Sequence, residues 1–139
     1  MSALSAAFEQ ACRRFGPAVA VRGGTIRLAY AELDERAGAV AALLQDAGLD
    51  ANEPVHVHIS NQPHDIVALF GVWLAGGVAV PVHRTTPAAV ASMFHERSHA
   101  RFLLDLESTR IEAASLSLIA TGRPPHRPLL EGAASIVFT

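Results

Sequence analysis

The string His95-Glu96-Arg97-Ser98-His99 matches the pattern H-E-x-x-H. On a helix its two histidines would lie one turn apart on the same face and could hold Zn²⁺, with Glu96 as general base for an attacking water. The surroundings weigh against that chemistry. Arg97 puts a cation inside the motif, and Ser98-His99 falls where the helix should end ahead of an apolar strand at 101–104. A rigid site also needs a third ligand, and nothing selects between Glu107 and Glu112. A solvated helix end, with His99 near the C-terminal dipole, is the preferred reading; a zinc metallohydrolase on His95 and His99 is the alternative. His56 and His58 alternate with Val55, Val57 and Ile59, so both imidazoles point to one strand face. That pattern reads as a less apolar face or a packed neutral pair rather than a metal pair. His64, His83 and His126 sit at turn or helix-start positions and are expected at the surface.

Other chemistries are poorly represented. Cys12 is the single cysteine, cannot form an internal disulfide, and reads as a small side chain on the first helix rather than a catalytic thiol. No Gly-x-Gly-x-x-Gly loop, phosphate loop of the Gly-x₄-Gly-Lys-Ser/Thr type or nucleophile elbow is present, and Gly23-Gly24 lies in a hairpin rather than before a helix. With 11 basic and 13 acidic residues, net charge -2, there is no electrostatic case for nucleic acid or an anionic membrane. Half of the 139 residues are apolar, enough for one domain with a real core.

The elements that must position these residues follow from apolar spacing. Residues 2–14 predict a helix with Leu4, Phe8 and Ala11 on one face, ended by Gly16-Pro17. Residues 18–21 and 25–28 predict a hairpin turning at Gly23-Gly24. Leu33, Ala37, Val40, Leu44 and Ala47 mark a helix over 30–47, with Gly48 as its cap. Strand 55–59, helix 63–75, strand 77–82, helix 86–98 and strand 101–104 then alternate, followed by a weak helix at 108–114 and a strand at 116–119. This is the pattern of an α/β fold, a largely parallel sheet with helices on both faces, plus an N-terminal β-hairpin. The loop 121–128, with Pro124, Pro125 and Pro128, continues neither element.

Residues 66–82 carry no charge, but Gly76-Gly77 and Pro81 divide them into helix, turn and strand rather than a membrane span. The N-terminus lacks the basic start of a signal peptide, so a cytoplasmic protein is expected. The final run 134–139 is short, apolar and β-branched, the pattern of a sheet-core strand, and is expected to have lost the loop and helix that would follow it.

Three segments resemble, in order and spacing, the opening of the adenylate-forming (AMP-binding) enzymes: Leu28-Ala29-Tyr30-Ala31-Glu32-Leu33, the run from Leu74 to Val82, and Ile136-Val137-Phe138-Thr139. That superfamily includes acyl- and aryl-CoA synthetases, peptide-synthetase adenylation domains and luciferases. In the first segment Ala29 stands where a capping Ser or Thr is usual, leaving only Glu32 of a capping box. In the second, paired glycines let helix and strand approach closely and Pro81 is expected to end the ladder.

The resemblance implies that residues 1–139 are a single unit, the N-terminal part of a larger AMP-binding domain truncated before its phosphate loop. Thr139 resembles the first residue of the Ser/Thr/Gly-rich, lysine-ended loop that wraps the triphosphate of ATP. The intact enzyme, acyl-CoA synthetase-like, would use ATP and Mg²⁺ to turn a carboxylic acid into an acyl-AMP and pass the acyl group to coenzyme A or a carrier thiol. This chain would supply scaffold and no catalytic residue, bind no cofactor alone, and self-associate through uncovered apolar surface. A non-catalytic assembly module is a second alternative.

Overall fold

The computed structural model describes residues 3–139, so Ser2, the expected start of the first helix, lies outside the described residues. The elements in order are α1 (Ala3–Phe15), β1 (Val19–Gly23), β2 (Ile26–Ala29), α2 (Tyr30–Asp46), β3 (Pro54–Ile59), α3 (Pro63–Leu74), β4 (Val78–His83), α4 (Ala88–Ser98), β5 (Phe102–Leu106) and β6 (Ala114–Leu118). β1 and β2 form the expected hairpin, and β4-β3-β5-β6 form a second sheet. β3 pairs in parallel with β4 and with β5, while β6 returns antiparallel to β5.

That last pairing corrects the expected helix at 108–114, of which only a 3-10 turn, Ile111–Ala113, forms. A parallel return needs a crossover of a dozen or more residues. Residues 107–113 are too few, so the chain can only double back.

One face of the sheet carries the apolar core. Val55, Val57, Phe102 and Leu104 point toward α2 and α3 and are buried with Val40, Leu44, Ala68 and Val72. Each fully buried aliphatic side chain is worth about 1.5–3 kcal/mol relative to exposure. The closest helix contact depends on Gly71, where an added Cβ would sit 2.3 Å from the Val40 Cγ1. At the turn into β4, Gly76 has φ +83, and a Cβ on Gly77 would meet Val72, Leu49 and the Glu53 carbonyl at 3.1–3.2 Å. The glycine pair thus serves the close approach expected of it.

α4 covers the opposite face, because β4 to β5 steps back across β3 and a right-handed crossover then lies on the other side. The alternate residues His56 and His58 face it. The uncharged stretch 66–82 divides into the end of α3, a turn and β4, and among the described residues no helix is long and apolar enough to cross a membrane.

Pro81 does not end β4. It pairs in register with Val57, and the ladder to β3 continues to His83. Val78 donates toward β3, to the Glu53 carbonyl, whereas Ala79 donates the other way, to Ala134. Residue 81 shares the direction of residue 79, so the missing N–H of Pro81 faces the outer flank and costs the β3 ladder nothing.

At the other end of the strands, Glu53 is 2% exposed. Arg101 Nε and Nη2 donate to its two oxygens at 3.0 and 2.9 Å, and Asp50 N–H donates to Oε1 at 3.0 Å. The bidentate pair holds the Arg101 guanidinium above its ordinary pKa.

Candidate functional site

The two histidines of the H-E-x-x-H string do not converge. His95 lies in the last turn of α4, but His99 is its C-cap, in the left-handed conformation at φ 59, with an exposed side chain. The reversal that ends the helix removes His99 from the face that carries His95. Glu107 follows β5 and Glu112 lies in the 3-10 turn, where its nearest ion partner is Arg110 at 3.8 Å.

What His95 meets instead is His56. Their Nε2 atoms are 3.2 Å apart, with ring centroids separated by 3.8 Å at an interplanar angle of 81°. Two imidazoles sharing a tetrahedral Zn²⁺ at about 2.05 Å would hold their centroids roughly 5 Å apart. The rings are therefore packed edge to face and their lone pairs do not meet at a common point. Among the described residues no group of three His, Cys, Asp or Glu side chains could hold a metal ion.

The strand pair His56 and His58 does share one face, as alternation requires, with centroids 5.6 Å apart. His56 is fully buried, and burial first, then the neighbouring His95 and His58, pushes its pKa down to about 3. Burial lowers that of His95 too, with His58 as the lesser cause. His58 Nδ1 lies 3.5 Å from Asp105 Oδ2, and Arg84 binds the other Asp105 oxygen. The cluster is a set of imidazoles closing the gap between α4 and the sheet, with the Arg84–Asp105 ion pair at its rim.

Open α/β sheets bind ligands beyond the carboxyl ends of their parallel strands. Here that end is the loop Ser60-Asn61-Gln62 before α3. Asp65, the third residue of α3, accepts the backbone N–H groups of Ser60 and Gln62 at 3.1 Å each. His64 Nε2 is 3.0 Å from Ser60 Oγ. His64 is buried at 8% exposure, which corrects its expected surface position: Pro63 starts the helix and turns the next side chain inward.

Serine, histidine and aspartate together invite a hydrolytic reading, which the geometry opposes. The Asp65 oxygens are taken by backbone amides, and the closest Asp65–His64 approach, 3.7 Å, is to the same Nε2 that faces Ser60. A relay needs the acid on the other ring nitrogen. The group is a helix cap, signalled in the sequence by Pro63 at the first helical position and an acid two residues on. Beside it lies a cavity of about 430 Å³ walled mainly by Val21, Ile59, Pro63, Ile66, Leu69 and Pro81.

The run 134–139 lies along the outer flank of β4. Ala79 N–H donates to the Ala134 carbonyl at 2.9 Å and Ile136 N–H to the Ala79 carbonyl at 2.8 Å, a single parallel bridge centred on Ser135. The Trp73 indole donates to the same Ala134 carbonyl at 2.7 Å. The expected core strand is thus a one-rung edge segment with Val137 69% exposed. Phe138 stacks on Phe94 of α4, and Thr139 follows it, exposed. His83 and His126 are exposed as expected, and Cys12 is buried on α1, which raises its thiol pKa, with Asp34 and Glu9 adding to the shift.

Glu32 Oε1 accepts the Ala29 N–H at 3.1 Å, the half of the capping box that remains once Ala29 supplies no side-chain acceptor. Among curated relatives, a linear gramicidin synthase of Brevibacillus parabrevis is 36% identical over 115 residues, 81% of this chain and 2% of that protein. A mycosubtilin synthase of Bacillus subtilis is 35% identical over 97 residues, 70% of this chain and 4% of that protein. Among solved structures, the N-terminal subdomain of Klebsiella oxytoca NpsA superposes with a TM-score of 0.70 at 27% identity, covering 76% of this chain and 28% of that one. This chain therefore spans only a small part of the length of the relatives it matches. Residues 8–132 match the AMP-binding enzyme family, and with most of its length inside that match the chain belongs to this family.

Proposed function

We propose that residues 1–139 are the N-terminal scaffold of a larger adenylate-forming ligase, and that Thr139 stands at the start of its ATP phosphate loop. The intact enzyme activates a carboxylic acid with ATP and Mg²⁺ as an acyl-adenylate and transfers the acyl group to a thiol. The family match over residues 8–132 carries this reading. A structure of NpsA, the solved neighbour, is in complex with 3-hydroxyanthranilyl-AMSN.

The relatives bear on the acceptor. Several are peptide synthases and one is a coenzyme A ligase of Rhodococcus jostii, 33% identical over 92 residues. Their balance favours a carrier thiol over coenzyme A, and a substrate other than a fatty acid.

The residues present do not make a nucleotide site by themselves. All 11 basic residues are arginine, so a loop lysine has to come from outside this sequence. Thr139 is exposed, and its hydroxyl is the one group of the loop that the chain supplies. No step of the reaction is placed on this chain; it holds the sheet edge along which the loop begins.

Acid-dependent ATP–pyrophosphate exchange tests the reading. A longer protein containing these residues exchanges pyrophosphate in the presence of its acid, and the 139-residue chain does not. Exchange by the short chain, or none by the longer protein across a broad acid panel, overturns it. Self-association of the isolated chain, suggested by exposed Leu118 and Leu129, is checked by sedimentation, where a clean monomer at high concentration removes it.

A further inference from the structure

The segment 134–139 approaches the sheet as a fifth strand yet makes one rung. Ala79 supplies both hydrogen bonds of that rung. The next rung on this flank would need residue 81 to donate its N–H to the Ile136 carbonyl, and residue 81 is proline. The proline is harmless on the side of β3 because its missing donor points outward. On the outward side it deletes the bond that would have held the Ile136 carbonyl, and among the described residues the Pro81 carbonyl receives no backbone bond from Phe138 either.

A side-chain contact occupies that place. The Phe138 ring lies on the Phe94 ring with centroids 4.6 Å apart and planes 6° from parallel. Phe94 belongs to α4, whose next residue, His95, packs on the buried His56 of β3. Arg127 Nη2 donates to the Ser98 carbonyl at 2.7 Å and so ties down the end of the same helix. The stack is therefore anchored to the sheet through His95, and the end of α4 is tied to the loop that carries Arg127.

We propose that Phe94 is a positioning residue for the phosphate loop: beyond the single rung at Ala79 its ring seats Phe138, and thereby fixes where Thr139 presents the loop to ATP. This rests on the function proposed above. Phosphoryl and adenylyl chemistry depends on holding the phosphates in place, so a displaced loop start weakens the use of ATP and leaves recognition of the acid alone.

The test compares Phe94→Leu, which keeps apolar bulk and loses the flat face, with Phe94→Tyr, which keeps the face. In the longer protein, F94L raises the KM for ATP about tenfold with the KM for the acid within about twofold, and F94Y restores both. Met93→Ala, an exposed neighbour on the same helix, leaves both constants near those of the wild type. In the 139-residue chain, the Phe138 ring-proton NMR shifts move toward random-coil values in F94L and hold in F94Y.

An ATP KM in F94L within twofold of wild type, a rise in both KM values together, or failure of F94Y to rescue overturns the positioning role. Unchanged Phe138 shifts in F94L overturn the stack itself. A wild-type longer protein with no exchange activity brings down the function and the loop's role with it, while the shifts still decide whether Phe94 seats Phe138.

Discussion

On one face of the sheet Val55, Val57, Phe102 and Leu104 meet α2 and α3 in a dry apolar layer. On the other, His56 meets His95 of α4, with His58 and Asp105 of the same strands beside it. The strands are shared, so the difference comes from alternation alone: odd residues of β3 face the core and even ones face α4. The first face is closed by shape, with Gly71 letting Val40 approach and little room for change. The second is closed by imidazoles, with His56 and His95 held below their ordinary pKa by burial, and it carries the helix that holds Phe138. Stability is concentrated on one side, and the link to the candidate loop on the other.

The contrast can be broken by truncation. Leu104→Ala, in the fully buried core, is expected to cost about 3 kcal/mol in urea unfolding, whereas His95→Leu, on the α4 face, should cost about 1–2 kcal/mol, by leaving His56 Nε2 without its partner. Equal costs would mean that both faces are cores of the same kind.

Titration sharpens it further. His56 has a pKa near 3 when folded and an ordinary value of 6.5 when unfolded, so below about pH 6.5 the unfolded chain takes up a proton that the folded chain refuses. Stability is therefore complete above pH 6.5 and falls by about 1.4 kcal/mol per pH unit as the pH drops toward 3. The depressed His95 acts in the same direction. Subtracting the pH profile of His56→Leu from that of the wild type isolates this slope, and a zero difference would show that the imidazole is not held neutral by burial.

The smallest effect belongs to neither face. Ala29→Ser should complete the capping box with Glu32 and raise stability by about 1 kcal/mol, read as a shift in thermal midpoint. No gain would mean that the Ser hydroxyl does not reach the free amides of the first turn.

Much of this was legible in the chain. The spacing of Leu33, Ala37, Val40 and Leu44 set α2, the alternation around His56 set the polar face of β3, and the glycine pair at 76–77 set the close turn into β4. The three segments that resemble adenylate-forming enzymes led to the family that the match over 8–132 shows. Where expectation failed, a non-local partner was responsible. His64 turned inward because Ser60 and the start of α3 enclose it, and 108–114 lost its helix because β6 had to reach the edge of β5.

Local order in the sequence determined the elements, their faces and the family, because periodicity and turn chemistry act over a few residues. Tertiary structure alone decided that His95 pairs with His56 rather than His99, that Arg101 reaches Glu53, and that Phe138 stacks on Phe94. Each of these joins residues far apart in the chain, and their meeting depends on how crossovers stack helices on a twisted sheet, which no short stretch of sequence encodes.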